Sequence, residues 1–492
     1  MSRKTSTPTD VLERPEDQKM PIGSAFAYGL QHVLTMYGGI IAPPLIIGSA
    51  AHADPAKMGL LIACCLFVGG LATLLQTIGI PFFGSKLPLV QGVSFAGVAT
   101  MLAIVNQGDG ITGIFGSILI ASLIGLVVAP FFAQILRFFP PVVTGVVITT
   151  IGLSLLPVAA GWIVGNDPKA PDFASPANVG LAAITLFFIV LFSKIGNAAL
   201  SRLSILLSLI IGTVIAALLG KADFSHVFDG QIFAFPTPFA FGLPTFPVAG
   251  IISMVIVILV TMTETTADIL AVGEIVGTKV DRKRIANGLR ADMLSSAVAP
   301  VFNSFTQTAF AQNVGLVAIT KIKSRWAVAA GGVVLIVLGL FPVLGRIVAA
   351  IPGGVLGGAG IVLFGTVAAS GIRTLSRVNY EDNMNLVIVA TSIGFGILPE
   401  VNSAIYANFP SWFQVIFNSS ISSAALMAIV LNLVFNHWTR GNAQDASVFA
   451  AAGTRAIPTA TIRTLRDGDR YADGKLIDSD GNEVPVVDEA AH

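Results

Sequence analysis

Long apolar runs follow one another along most of this chain, and they decide what it can fold into. Of its 492 residues, 54% are hydrophobic and only 11% are charged, and the mean hydropathy is +0.83. An average soluble domain has about 25% charged residues, so this chain cannot coat the surface of a soluble protein of its length. The sequence therefore predicts an all-α polytopic membrane protein, because helices satisfy their own backbone groups inside the hydrocarbon core.

The apolar runs also give the number of predicted spans. Two segments, 87–104 and 304–320, are apolar but interrupted by polar residues and glycine. With them we predict fourteen transmembrane segments, the other twelve lying near 24–47, 57–80, 111–135, 141–163, 178–193, 203–220, 247–273, 284–300, 326–345, 350–369, 384–398 and 421–437. Residues 400–419 are predicted to be an interfacial segment.

Charge indicates the orientation of the chain and excludes some classes of protein. If the N-terminus is cytoplasmic, fifteen Lys and Arg residues fall on the cytoplasmic side and four on the other. This positive-inside bias predicts a multi-pass protein of the cell membrane with both termini cytoplasmic. A net charge of +1 provides no basic face for nucleic acid. The adjacent Cys64 and Cys65 predict neither a disulfide nor a metal site, and we predict no cofactor.

The spans fall into two halves. The loop at 221–246, rich in Phe, Pro and Gly, separates seven spans from seven. Because seven is odd, the second half must run in the opposite sense, which is the inverted-repeat plan of many secondary transporters. Each interrupted segment is the third span of its half, so the third and tenth spans are predicted to be a short strand followed by a short helix. The alternative is a pair of kinked structural helices.

Carboxylates inside the spans mark the predicted site, because a charge at the bilayer centre costs at least about 2.5–3.5 kcal/mol. Glu264 and Asp268 in the eighth span are four residues apart and share one helix face. Such a carboxylate must face a cavity, take up a proton or pair with another group. Glu264 lies deeper and is predicted to be functional, whereas for Asp268 bracing a neighbouring helix is nearly as good an interpretation. Asp292 in the ninth span could carry a proton or brace the adjoining broken segment.

Amide and imidazole side chains lie at comparable depth. His32, next to Gln31, is either a functional residue or a satisfied core histidine. Gln312 and Asn313 begin the second half-helix, and their amides offer a donor and an acceptor together, which suits a planar heterocycle. No Lys or Arg lies at mid-membrane depth, which argues against a permanent dianion as ligand.

At these residues the sequence resembles the nucleobase–ascorbate transporter family, also called nucleobase:cation symporter-2. The family signature is Gln/Glu/Pro-Asn-x-Gly, four residues, then Thr and Arg/Lys/Gly, and residues 312–321 match every fixed position. The resemblance extends over residues 22–438 and includes the segments 29–33 and 91–95. The chain departs from common members at Met293 and at residues 306–307, which bear on substrate preference and not on class.

The resemblance implies a domain organisation. A core domain would comprise residues 22–137 and 247–346, and a gate domain residues 138–220 and 347–438, with an outer loop at 221–246. Residues 1–21 and 439–492 would be cytoplasmic tails. Such proteins form homodimers in membrane lipid and move their substrate by an elevator-type shift.

It also implies roles for residues. Glu264 and Gln312 would hydrogen-bond a purine nucleobase, Phe95 would stack on it, and Ser94 would occupy a position that differs between xanthine and uric acid carriers. The other substrate-binding residues would be Asn313, His32 and Gln31. The proton-coupling residues would be Asp292, Glu264 and Asp268. The implied function is proton-coupled symport of xanthine and/or uric acid. A uracil or other nucleobase carrier is the alternative within the family, and an anion exchanger or channel of the same fold is the alternative from another class.

Overall fold

The structure is a computed structural model that describes residues 14–132, 139–165, 169–195, 198–225, 227–381, 384–402, 404–438, 469–472, 475–479 and 483–484. The chain divides into two units, Met1–Arg440 and Gly441–His492. In the second unit the described residues form three short antiparallel strands, Arg470–Ala472, Lys475–Ile477 and Glu483–Val484.

The first unit is mostly helical. Before the loop at 221–246 its elements are α1 (Ile22–Ala50), α2 (Pro55–Thr77), β1 (Gln91–Val93), α3 (Val98–Asn106), α4 (Gly110–Val128), α5 (Pro141–Ser154), α6 (Leu156–Val164), α7 (Pro176–Ile195), α8 (Ala198–Arg202) and α9 (Ser204–Leu218). After the loop they are α10 (Val248–Val276), α11 (Arg282–Val298), β2 (Gln307–Ala309), α12 (Ala311–Thr320), α13 (Arg325–Gly339), α14 (Pro342–Ala349), α15 (Gly353–Leu375), α16 (Met384–Val401), α17 (Ser411–Phe417) and α18 (Ser420–Asn432).

Among the described residues, nine helices are long and apolar enough to cross a membrane. A tenth crossing results if α13 and α14, bent by 79° at their junction, count as one span. The sequence predicted the eleventh span near 326–345 without a bend being foreseen; the bend lies at Pro342, which lacks the N–H that would continue the helix. Three shorter apolar helices, which include α3, α9 and α12, fall below the length of a full crossing. The total of fourteen therefore stays a prediction.

The two segments predicted to be interrupted each contain a strand, and these strands pair with each other. β1 and β2 are antiparallel, with Gln91 opposite Ala309 and Val93 opposite Gln307. Both strands are buried throughout. The two strands supply each other's backbone hydrogen bonds. Extended backbone is therefore tolerated in the buried interior, where water does not satisfy its N–H and C=O groups.

Glycine lets helices from the two halves approach closely. On α2, a Cβ atom added to Gly70 would lie 2.6 Å from the carbonyl oxygen of Gly332 on α13. The helices α1, α2 and α13 pack together, as do α4, α10 and α11, and α2 packs against α11, so these six helices form one group. A separate set is formed by α5, α6 and α7 against α15, and by α16 against α18. Each half of the chain thus contributes helices to both groups.

A short segment before α1 ties several helix ends together. Residues 15–18, called here the N-terminal strap, include a single turn of 3-10 helix, Pro15–Asp17. Glu16 is fully buried and accepts a hydrogen bond of 2.6 Å from Arg284, which also donates to the carbonyl oxygen of Ser85 at 2.6 Å. Asp17 accepts from Arg325 at 2.6 Å. The strap therefore joins the starts of α11 and α13, and Arg325 also donates to the Thr77 carbonyl oxygen at the end of α2 at 2.8 Å.

We expect Glu16→Ala to destabilise the protein far more than Asp17→Ala. Glu16 and Arg284 are only 1% and 11% exposed, whereas the side chain of Asp17 is 39% exposed. Removing one partner of a buried ion pair costs about 3–5 kcal/mol, and an exposed pair contributes about 0–1 kcal/mol. Thermal unfolding of the purified variants in detergent measures the difference. Equal unfolding temperatures for the two variants would contradict this role of the strap.

Candidate functional site

The residues predicted to form the site lie where the two strands meet two short helices. β1 leads through a turn of 3-10 helix, Phe95–Gly97, into α3, whereas β2 leads through Phe310 into α12. Because the strands are antiparallel, these helices begin at opposite ends of the strand pair and run apart. The long helix α10 packs against both of them and against β2. No side chain caps α12. In its first turn the Asn313 N–H donates to the Phe310 carbonyl oxygen at 2.9 Å, so the backbone N–H groups of Ala311 and Gln312 are the ones left for a ligand.

Two polar side chains at this place are accessible and unbonded. Glu264 on α10 and Gln312 in the first turn of α12 are both half-buried. Within the described residues, neither side chain takes part in a hydrogen bond or ion pair. The two residues lie on helices that pack against each other, and a carboxylate together with an amide offers the acceptors and the donor that a planar heterocycle needs.

Asp292 is buried behind the strands in a network of neutral groups. It is 1% exposed, and its Oδ2 accepts a hydrogen bond of 2.5 Å from the hydroxyl of Thr265. Its Oδ1 accepts from the Gln76 amide at 3.3 Å. The Thr265 oxygen lies 3.2 Å from that of Thr308 in β2 and accepts from the Ala309 N–H at 3.4 Å. Asp292 thus links α2, α10 and β2 without a basic partner among the described residues.

His32 and Asn313 bind each other and are both buried. The Val90 N–H donates to Asn313 Oδ1 at 2.9 Å, which fixes the orientation of that amide. Its Nδ2 therefore donates to His32 Nδ1 at 2.8 Å, so Nδ1 is the unprotonated nitrogen of the neutral ring. His32 is 2% and Asn313 1% exposed. They hold α1, β1 and α12 together, and a direct contact with substrate stays a prediction for both.

Ser94 and Phe95 differ in accessibility. Ser94 is fully buried; its Oγ accepts from the Ala96 N–H at 3.2 Å, and its own N–H donates to the Thr306 carbonyl at 2.8 Å. It thereby caps the turn that begins the first short helix. Phe95 is half-buried, with its ring edge-on to that of Phe364 on α15 at 6.1 Å.

Asp268 and Gln31 are half-buried, and neither side chain is hydrogen-bonded within the described part of the chain. Asp268 lies one helical turn beyond Glu264 on α10. Gln31 precedes His32 on α1, and its backbone oxygen accepts from the Thr35 hydroxyl at 2.8 Å. Neither residue is placed in the Asp292 network.

A cavity of about 600 Å³ lies away from these residues. It is lined by the turn between α1 and α2, the turn between α3 and α4, and Ala240 and Phe241 of the 221–246 loop. Lys57, which lines it together with His52, is paired with Asp54, whose pKa is lowered by the hydrogen bond from the Lys57 backbone N–H. None of the residues predicted from the sequence lines this cavity, and we assign no function to it.

Sequence reasoning missed four residues that organise the site. Gln76 and Thr265 hold Asp292, Thr308 extends the network into β2, and the buried Phe310 precedes α12. Threonine and glutamine inside an apolar run were the available signal. Gln91 in β1 differs from these hydrogen-bonded residues: it is fully buried, and neither polar atom of its side-chain amide has a partner among the described residues.

Comparison with known proteins gives the class to which this fold and site belong. Residues 23–404 match a family model described as "Permease family", labelled Xan_ur_permease. The uric acid transporter UacT of Escherichia coli (strain K12) is 40% identical over 430 residues, covering 86% of this chain and 89% of that protein. The xanthine permease of Bacillus subtilis (strain 168) is 38% identical over 418 residues, covering 85% and 95%. The chain belongs to this permease family, the nucleobase:cation symporter-2 family, and is an integral membrane transporter and not an enzyme.

Solved structures show the same fold at low identity. The transmembrane domain of a cyanobacterium bicarbonate transporter, BicA, superposes with a TM-score of 0.56 at 16% identity, covering 83% of this chain and 97% of that one. The murine Slc26a9 anion transporter in the inward-facing state gives a TM-score of 0.57 at 14% identity, covering 85% and 69%. At these identities the likeness shows the fold alone.

Proposed function

We propose that this protein is a proton-coupled symporter that imports the purine nucleobases xanthine and/or uric acid. The observation that carries the proposal is the pair of accessible, unbonded side chains, Glu264 and Gln312, beside the strand pair and the uncapped start of α12. A purine dione presents N–H and C=O groups in one plane, which an acceptor carboxylate and an amide complement. The names of the relatives, uric acid transporter and xanthine permease, support the same substrate class.

In this proposal the purine lies against Phe95, with its edge toward Glu264 and Gln312. The half-buried Phe95 ring offers a face for stacking. Gln31 and Asp268, also half-buried, could be reached from the same place. Asn313 and His32 position the start of α12, and Ser94 positions the start of the other short helix, through the bonds described above.

Proton coupling is assigned to Asp292, with Glu264 and Asp268. The partners of Asp292 are the Thr265 hydroxyl and the Gln76 amide. A carboxyl group held by neutral partners gains and loses a proton without breaking an ion pair. Because Thr265 also contacts β2, a change of charge at Asp292 acts directly on the strand that leads to Gln312.

The complete architecture is also part of the proposal. The nine long helices, the bent pair, the three shorter helices and α11 make fourteen spans in two inverted halves. We assign the two packing groups of helices to a core domain of spans 1–4 and 8–11 and a gate domain of spans 5–7 and 12–14. We propose that the core slides along the gate in an elevator-type movement, in a homodimer with both termini cytoplasmic.

Two other functions fit parts of this description. A uracil or other nucleobase carrier would use the same amide and carboxylate. An anion exchanger or channel would share the fold with BicA and Slc26a9. That function calls for a basic residue at the site, whereas none of the candidate site residues named above is Lys or Arg, and the hydrogen-bond partners of Asp292 are neutral.

Uptake in cells tests the substrate class. The protein is expressed in a bacterial strain without its own nucleobase carriers, and uptake of labelled uric acid, xanthine, uracil and sulfate is measured. We expect saturable uptake of uric acid, xanthine or both, with mutual competition, and uptake of uracil and sulfate at the level of the empty vector. Uptake of uracil alone would support the nucleobase alternative, and uptake of sulfate would support the anion exchanger.

A further inference from the structure

The two carboxyl oxygens of Asp292 have different partners, and this difference decides which of them can carry a proton. The Gln76 amide is oriented by a bond of its own, because its Oε1 accepts from the Ser85 N–H at 3.1 Å. Its Nε2 therefore faces Asp292 Oδ1, at 3.3 Å, and can only donate. A proton on Oδ1 would point at this donor, so a proton on Asp292 is held at Oδ2.

The hydroxyl group of Thr265 faces Oδ2. Its oxygen lies 2.5 Å from Oδ2, 3.2 Å from Thr308 Oγ1 and 3.4 Å from the Ala309 nitrogen. Thr265 is fully buried and Thr308 is 6% exposed, so they exchange hydrogen bonds with protein groups and not with bulk water. A hydroxyl group has one proton to donate. The Thr265 proton can therefore go to Asp292 or to Thr308, but not to both.

Charged side chains on the neighbouring elements stay outside this network. Within the described residues, Glu264 and Asp268 on α10 are not hydrogen-bonded to Asp292. Arg290 donates to an amide of its own helix, α11, at 2.9 Å. On α2 the basic residue is Lys57, which lies in the first turn, far from the Asp292 network. β2 and α4, which also pack against α11, contain no charged residue. A change of charge at Asp292 therefore acts through its hydrogen-bond partners.

We propose that Thr265 is a positioning residue that transmits the charge of Asp292 to β2 through Thr308; the two threonines are called here the hydroxyl relay. This rests on the proposed function, which makes Asp292 the carrier of the proton. With Asp292 ionised, Thr265 donates to Oδ2 and accepts from Thr308. With a proton on Oδ2, Asp292 donates to Thr265, whose own proton turns to Thr308. Thr308 thus changes from donor to acceptor, four residues before Gln312 of the candidate site.

Thr265→Val tests the hydroxyl relay, because valine has nearly the shape of threonine and no hydroxyl group. In liposomes, accumulation of xanthine or uric acid driven by a pH gradient should fall at least about tenfold, the loss expected for one hydrogen bond to a charged group. Exchange of labelled for unlabelled substrate should persist. Thr265→Ser retains the hydroxyl group and should accumulate substrate like the parent.

Thr266→Val is the matched control on the same helix. Thr266 is also buried, but its hydroxyl group donates to the Met262 carbonyl of its own helix at 2.7 Å. The identical substitution therefore removes a buried hydroxyl group without touching the hydroxyl relay, and accumulation should stay near that of the parent.

A second variant, Thr308→Val, keeps the test decisive if Thr265→Val does not fold. It leaves both hydrogen bonds of Asp292 in place and removes only the receiving end of the hydroxyl relay, so accumulation should fall while exchange persists. Parent-like accumulation in either valine variant, an equal loss in Thr266→Val, or no accumulation in Thr265→Ser would overturn the inference. Loss of exchange together with accumulation in both valine variants would also overturn it, because the threonines would then serve folding or binding.

The same assay separates failure of this inference from failure of the proposed function. If the parent does not accumulate substrate in response to a pH gradient, the proposed function is wrong and the hydroxyl relay is wrong with it. If the parent and both valine variants accumulate substrate alike, the proposed function stands and only the hydroxyl relay is wrong.

Discussion

Uptake of xanthine and uric acid should fall at least about tenfold in Glu264→Gln, while the amount of protein in the membrane stays the same. The substitution keeps the shape of the side chain but removes its charge. A hydrogen bond to a charged group contributes about 1.5–3 kcal/mol, more than its neutral counterpart. Because Glu264 has no other partner among the described residues, the loss should fall on substrate binding and not on folding. Initial rates of labelled uptake, with the membrane content measured by immunoblot, give the result.

Glu274→Gln is the matched control for this experiment. Glu274 lies on the same helix ten residues later and is exposed, so the identical change should leave uptake near that of the parent. Near-normal uptake by Glu264→Gln, or an equal loss in Glu274→Gln, would contradict the assignment of Glu264 as a substrate ligand.

Asp292→Asn should abolish accumulation of substrate against a gradient while substrate binding and exchange persist. The amide keeps the size of the carboxyl group and retains one oxygen that can accept from Thr265 or Gln76, so the network around β2 can survive. The amide cannot take up and release a proton, so the driving force is lost. In proteoliposomes, accumulation driven by a pH gradient should disappear, whereas exchange of labelled for unlabelled substrate should continue.

Asp281→Asn is the control on the same helix. Asp281 caps α11 by accepting from the Arg284 N–H at 2.7 Å, and asparagine caps a helix equally well. We expect accumulation to be unchanged in this variant. If Asp292→Asn still accumulated substrate, Asp292 would be a bracing residue only. If it lost exchange as well, its role would lie in folding or binding.

The general course of the chain could be predicted from sequence because apolar runs and their charged ends are local signals. The two interrupted segments were recognisable for the same reason, since polar residues and glycine appear in runs that are otherwise apolar. That Gln91 lies opposite Ala309 could not be predicted, because the pairing joins segments more than 200 residues apart and depends on how the two halves meet. The bend at Pro342 was missed because the apolar run continues through it.

At the site, too, local signals could be read from the sequence, whereas contacts between distant residues could not. Glu264 and Asp292 stand out because charge is costly inside a membrane, yet only the structure distinguishes an accessible carboxylate from one enclosed by Thr265 and Gln76. The bond between His32 and Asn313 joins residues 281 apart in sequence, so their chemistry was evident and their pairing was not.

The central claim is that a proton gradient drives purines across the membrane through this site. It is tested most directly with purified protein in liposomes, by imposing a pH gradient that is acidic outside and measuring uptake of labelled xanthine and uric acid in choline buffer without sodium. The account predicts accumulation above the external concentration, collapse on addition of a protonophore, and no change when sodium replaces choline. Accumulation that requires sodium and survives the protonophore would contradict it.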